Sequence, residues 1–156
     1  NNFVIKKILS TALKIKNKEV DKLQLGNLSV KRDWGYAPKF VEAMWLMLQQ
    51  DRPSDYVIAT GQSHSVEEFL TESFEYAGLG DWKKYVEVDK RLIRPQDIDN
   101  LIGDFSKAEK EIGWKPSMSY DQLVKLMVDS DLELFNKDKR FWALSWNRSL
   151  TGSMIN

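Results

Sequence analysis

Apolar positions along this chain recur at two spacings, and the switch between them predicts its elements. Val4, Ile8, Ala12 and Ile15 fall at helical spacing, which predicts a helix over 2–16 with a lysine-rich outer face. A second helix is expected over 38–50. Pro38 suits its first turn, and Val41, Met44, Trp45 and Leu48 give one apolar stripe, read as core. Between them lies Lys31-Arg32-Asp33-Trp34-Gly35-Tyr36. If extended, it sends Arg32, Trp34 and Tyr36 to one face and Lys31, Asp33 and Gly35 to the other. Tyr56-Val57-Ile58-Ala59 reads as a short buried strand ended by Gly61, and Tyr85-Val86-Glu87-Val88 as another by its alternation.

Capping signals place the remaining helices. Ser65-Val66-Glu67-Glu68 is a capping box that opens a helix to about Ala77, stopped by Gly78-Leu79-Gly80. Ser106-Lys107-Ala108-Glu109 opens a short helix that Gly113 ends. Ser119-Tyr120-Asp121-Gln122 opens the last strongly periodic helix, with Leu123, Val124, Met127 and Val128 facing inward. Helices and strands in this order make the chain α/β. Residues 1–136 are expected to form one domain. Residues 137–156 form a C-terminal tail, in which Trp142 and Trp146 dock on the core or form a partner surface.

Composition narrows the setting. The 156 residues suffice for a genuine core. Twenty-three basic residues cancel twenty-three acidic ones, so bulk charge does not point to nucleic acid. No cysteine is present, which excludes disulfides and thiolate metal sites and fits a reducing cytoplasm. No apolar run approaches the ~20 residues of a membrane span. The apolar start, Phe3 to Leu9, is interrupted by Lys6 and Lys7 and is followed by no small-residue cleavage site. It reads as an amphipathic helix packed on protein, not as a signal peptide or a membrane-surface helix.

Candidate chemistry concentrates at residues 31–36. The cations Lys31 and Arg32 stand beside two large rings, and a guanidinium is suited to a diphosphate because it gives two parallel hydrogen bonds to phosphate oxygens. The competing reading is an edge strand whose Arg32 and Asp33 simply pair with neighbours. Elsewhere the chemistry is thin. His64 is the sole histidine, so no histidine pair exists for zinc, and beside a capping box it reads as local structure. Asp97 and Asp99, two apart, do not share a helix face, which leaves glycoside chemistry unsupported. Gly78-Leu79-Gly80 fails as a dinucleotide loop because it follows a helix and opens no βαβ unit.

The run from Leu23 to Gln50, with Lys31-Arg32-Asp33-Trp34-Gly35-Tyr36 inside it, resembles the C-terminal half of GDP-mannose 4,6-dehydratases. These are extended members of the short-chain dehydrogenase/reductase superfamily. The resemblance continues through Asp55–Gly61, His64-Ser65-Val66, Arg94-Pro95, Leu101–Asp104 and Gly113-Trp114-Lys115-Pro116, in order, over roughly positions 1–135. It implies an α/β chain, α+β-like as a fragment, that is the sugar-nucleotide-binding portion without the N-terminal Rossmann half. It also implies GDP-mannose or a similar sugar nucleotide as ligand. By carry-over, Asn2 reaches the diphosphate side, and Lys6 stands where the family has arginine. Arg32 and Arg94 grip the diphosphate, with Lys31 adjacent, and Asp97 approaches the base or ribose where the family has glutamate.

The family reaction is an internal redox cycle that needs NADP, a strand-borne glycine loop and a Tyr-x-x-x-Lys pair. None of those residues is here. The fourth positions after Tyr36, Tyr56, Tyr76, Tyr85 and Tyr120 are Phe40, Thr60, Gly80, Asp89 and Val124. The resemblance therefore implies no catalytic or NADP-binding residue in this chain and no activity of the chain alone. It leaves two partners open, a homo-oligomer or a separate N-terminal half. Two other readings stand beside it: a related epimerase, dehydratase or reductase, and a non-catalytic binding or assembly module.

Overall fold

The computed structural model describes residues 3–151 other than Pro95, with side chains as far as Lys137. Asn2 and the tryptophans at 142 and 146 therefore lie outside the described side chains. The first helix, α1 (Val4–Lys16), buries Ile8, Leu9, Ala12, Leu13 and Ile15 and keeps Lys14 and Lys16 in its last turn, where cations favour the helix dipole. Its N-cap position falls on Phe3 without a side-chain cap. β1 (Leu23–Leu25) and β4 (Val86–Val88) pair in parallel. β2 (Lys31–Arg32) is flanked by β3 (His64–Ser65), antiparallel, and β5 (Asn100–Leu101), parallel. The strand carrying Arg32 is thus central, not an edge.

The helices follow their caps with one exception. α3 (Val66–Tyr76) is capped by Ser65, whose Oγ accepts from the Glu68 amide at 3.0 Å. α5 (Tyr120–Thr151) begins beside Ser119, whose amide donates to Gln122 Oε1 at 3.1 Å, so one arm of that box forms. α4 (Ser106–Ile112) departs from expectation: Ser106 is not its N-cap. The Asp104 carboxylate accepts both the Ser106 amide and its hydroxyl, and the competing Asx turn places the cap at Phe105. Gly113, at φ +69°, ends α4 in the left-handed region as the sequence predicts. α5 continues without a break past residue 136.

Two apolar clusters result. The larger joins α1, β1, α3 and α5 through Ile8, Leu23, Phe69, Leu70, Phe74 and Val124. The smaller holds Ala43 of α2 (Ala37–Leu48) against Ala108, Ile112 and Trp114, with Phe40, Tyr56 and Ile58 at its margin. Here the sequence expectation fails twice. The stripe read as core is in solvent: Val41, Met44, Trp45 and Leu48 are 59–82% exposed, and Ala43 alone of α2 is buried. Periodicity identifies an apolar face but not what covers it. Tyr56–Ala59 forms no strand either, because strand pattern does not supply a pairing neighbour. Ala59 packs instead against Gly103, where a Cβ would stand 2.3 Å from its own. Among the described residues no helix is long and apolar enough to cross a membrane.

Candidate functional site

Residues 31–36 fix the site because each side chain is held differently. The strand ends at Arg32, so the single Arg32–Trp34–Tyr36 face expected of an extended run does not form. The Arg32 guanidinium donates through Nη2 to Asp97 Oδ1 at 2.5 Å and through Nη1 to the Ile98 and Lys31 carbonyls at 2.6 and 2.7 Å. A guanidinium has five N–H donors. Nη1 is therefore spent, while Nε–H and one Nη2–H keep no partner among the described residues. Those N–H groups remain to donate to a phosphate oxygen.

Asp33 turns the other way and acts as a splice. Its Oδ1 accepts from the Thr60 amide and hydroxyl at 2.8 and 2.6 Å, and its Oδ2 from the Gly61 and Gly103 amides at 2.9 and 3.3 Å. The structural reading of residue 33 is thus correct, although its partners lie far along the chain. Nothing in the local pattern singled them out. Trp34 enters the larger core, edge-on to Phe69 and stacked at 6.0 Å on Tyr120. His64 stacks on Tyr120 with ring centroids 3.6 Å apart, and its Nδ1–H donates to Glu68 Oε2 at 2.9 Å. Its bond to Glu68 is local, as expected, but its stacking on Tyr120 is a long-range contact, and its Nε2 is buried with no partner among the described residues.

The remaining candidates separate. Asp97 is engaged by Arg32 through Oδ1, and its Oδ2 has no partner among the described residues. Arg94, three residues earlier, is exposed and has no hydrogen bond or ion pair among the described residues. Lys31 is exposed; its amide donates to the Asp99 carbonyl and its own carbonyl accepts from Arg32, while its ammonium has no partner among the described residues. Lys6 pairs with Asp131 at 2.6 Å, and both line a cavity of about 780 Å³ walled by Phe3, Trp34, Tyr36 and Met127. Among the described residues no cluster of histidine and carboxylate side chains suits a metal ion.

Electrostatics are strained mainly behind the stack. Burial first, then the Glu72 and Glu68 carboxylates, pushes the Tyr120 phenol far up, and its hydroxyl is buried with no partner among the described residues. Burial also raises the Glu72 carboxyl above its ordinary 4.5, aided by Asp121 and Glu68 and opposed by His64 and Lys125. A raised carboxyl means that the folded chain holds the proton more tightly than the unfolded one. Stability therefore falls as pH rises from below 4.5 through the raised value. Glu72→Gln is expected to raise Tm at pH 7 and to leave it nearly unchanged at pH 4. Equal shifts in melts at both pH values would show that the carboxylate is not the cause.

A family model described as GDP-mannose 4,6 dehydratase matches residues 1–127. GDP-mannose 4,6 dehydratase 2 of Arabidopsis thaliana is 56% identical over 138 residues, covering 88% of this chain and 37% of that protein. The Homo sapiens GDP-mannose 4,6 dehydratase is 44% identical over 149 residues, covering 85% of this chain and 40% of its own length. The chain thus spans about two fifths of these relatives. Among solved structures, RMD from Pseudomonas aeruginosa complexed with NADPH aligns at TM-score 0.72 and 20% identity, over 83% of this chain and 42% of that one. UDP-glucose 4-epimerase from Bifidobacterium longum, with NAD+ and UDP, aligns at 0.66 and 20%, over 85% and 41%. At such identity the likeness speaks for fold: mixed α/β, as in part of an extended short-chain epimerase or dehydratase.

Proposed function

The chain belongs to the GDP-mannose 4,6 dehydratase family, and from that premise we propose that it is the sugar-nucleotide-binding portion of such an enzyme. The parent reaction converts GDP-mannose to GDP-4-keto-6-deoxymannose. The observation that carries this reading is the half-used guanidinium of Arg32. Two carbonyls and Asp97 fix its plane, while its Nε–H and one Nη2–H remain to donate to the diphosphate. Arg94, unpaired on the adjoining loop, adds a second cation without breaking an existing bond. Asp97 serves the ligand by holding Arg32 and turns to the ribose only through its second oxygen. Lys6, paired with Asp131, lines the cavity.

The chain's own residues do not fit NADP, the cofactor of the family reaction. Gly78 and Gly80 follow α3 and lead into a 3₁₀ turn at Trp82–Lys84, so this glycine pair forms no strand-to-helix loop for a pyrophosphate. No tyrosine is followed four residues on by lysine. Binding and orientation of the sugar nucleotide belong here; proton and hydride movement require residues from elsewhere. Calorimetry tests the assignment. Heat is expected with GDP-mannose and not with UDP-glucose. Heat with UDP-glucose alone assigns the site to a sister activity, and no heat with either removes it.

A further inference from the structure

A cluster of aliphatic side chains stands in water close to the cations of the diphosphate site. Leu92, Ile93, Ile98, Leu101 and Ile102 are 41–61% exposed. One exposed aliphatic residue needs no explanation, but a group of them marks a surface with something to bind.

Strand pairing sets this cluster against Arg32. Arg32 and Leu101 are register partners in the parallel β2–β5 ladder, so their side chains leave the same face of the sheet. The Ile98 carbonyl accepts from Arg32 Nη1 at 2.6 Å, which holds Ile98 beside the same guanidinium. Ile93 directly precedes Arg94, whose guanidinium has no partner among the described residues. The donors that Arg32 and Arg94 leave unspent thus border aliphatic surface.

The kind of apolar group decides what that surface suits. Between Tyr85 and Phe105 the chain carries no aromatic residue, and the Trp34 ring is turned into the core. A nucleobase gains most from an aromatic face on which to stack. Aliphatic side chains match a hydrocarbon chain instead. A sugar nucleotide held by the arginines leaves this surface unused.

We infer that the Arg32–Arg94 site takes a second class of ligand, a diphosphate ester of an isoprenoid-like aliphatic alcohol. Its diphosphate meets the two guanidiniums and its hydrocarbon lies across Ile98 and Leu101. The inference rests on the diphosphate reading above and adds an apolar half to that site. Charge fixes the orientation, because the phosphate oxygens take the N–H groups without partners and the tail has only aliphatic surface to cover. Laying the tail there removes water from ligand and protein together.

Calorimetry with farnesyl diphosphate, kept below its micellar concentration, beside inorganic pyrophosphate and GDP, tests it. Farnesyl diphosphate is expected to bind at least about tenfold more tightly than pyrophosphate, the gain from burying about two methylene groups. Leu101→Thr and Ile98→Thr, at exposed positions, should each shrink that ratio, and the double variant should bring it to about one. Arg32→Ala should weaken all three ligands. Trp45→Glu should leave the ratio unchanged, since the exposed face of α2 is the rival surface for a hydrocarbon. Three results overturn the inference: a ratio near one in the unaltered chain, an advantage that survives the double variant, or an advantage lost in Trp45→Glu. Pyrophosphate and GDP binding without any gain for farnesyl diphosphate refutes the apolar half alone. Silence with all three ligands refutes the diphosphate site, and this inference with it.

Discussion

Arg32→Ala is expected to weaken GDP-mannose binding by about 1.5–3 kcal/mol, the range for hydrogen bonds to charged groups, or roughly 10- to 150-fold. The magnitude follows from geometry. Three contacts orient the guanidinium before any ligand arrives, so little rotamer entropy is lost on binding. Arg32→Lys separates orientation from charge: an ammonium can still meet Asp97 but cannot present two parallel donors. It should lose most of the affinity while keeping the fold, whereas Arg94→Ala, at an exposed and unheld position, should lose less. Calorimetry on variants with unchanged circular dichroism checks the order. Equal affinity in Arg32→Ala would place the diphosphate elsewhere.

Trp114→Ala should be the most damaging single change to the fold, at about 3–5 kcal/mol, the cost of truncating a buried aromatic. Its ring is 1% exposed, it meets Phe40 and Phe105 edge-on, and its Nε1–H donates to the Lys39 carbonyl at 2.8 Å. The loss should be local. The cluster around Trp114 is separate from the one built on α1, α3 and α5, and Asp33 is the visible splice between them. Hydrogen exchange should therefore quicken first in α2 and α4, before α3. A denaturant midpoint shifted by less than ~1 kcal/mol would mean that the small cluster collapses to fill the gap.

How much of this was readable in advance varies with the distance over which each feature is decided. Ser65 caps α3, Gly113 ends α4, and Leu123, Val124 and Val128 face inward from α5, because each depends on neighbours within a few residues. The cap at Ser106 failed by one position, since Asp104 reached its amide first. Arg32 was legible as a candidate from its residue type and setting. Its partner Asp97 was not legible as a partner, since the chain between these two residues, 65 positions apart, carries no mark of the β2–β5 pairing that brings them together.

The sequence alone determined which family the chain resembles, where its helices begin, and that the hydride-transfer residues are lacking; all of these reside in residue order and local hydrogen bonding. Tertiary structure decided the rest. It placed Arg32 on a central strand, gave Asp33 to Thr60, Gly61 and Gly103, and left Val41, Met44, Trp45 and Leu48 in water. An apolar stripe records only that a face avoids water. Whether that face meets its own chain or another depends on which surfaces are within reach, a property of the assembled molecule and not of any window of its sequence.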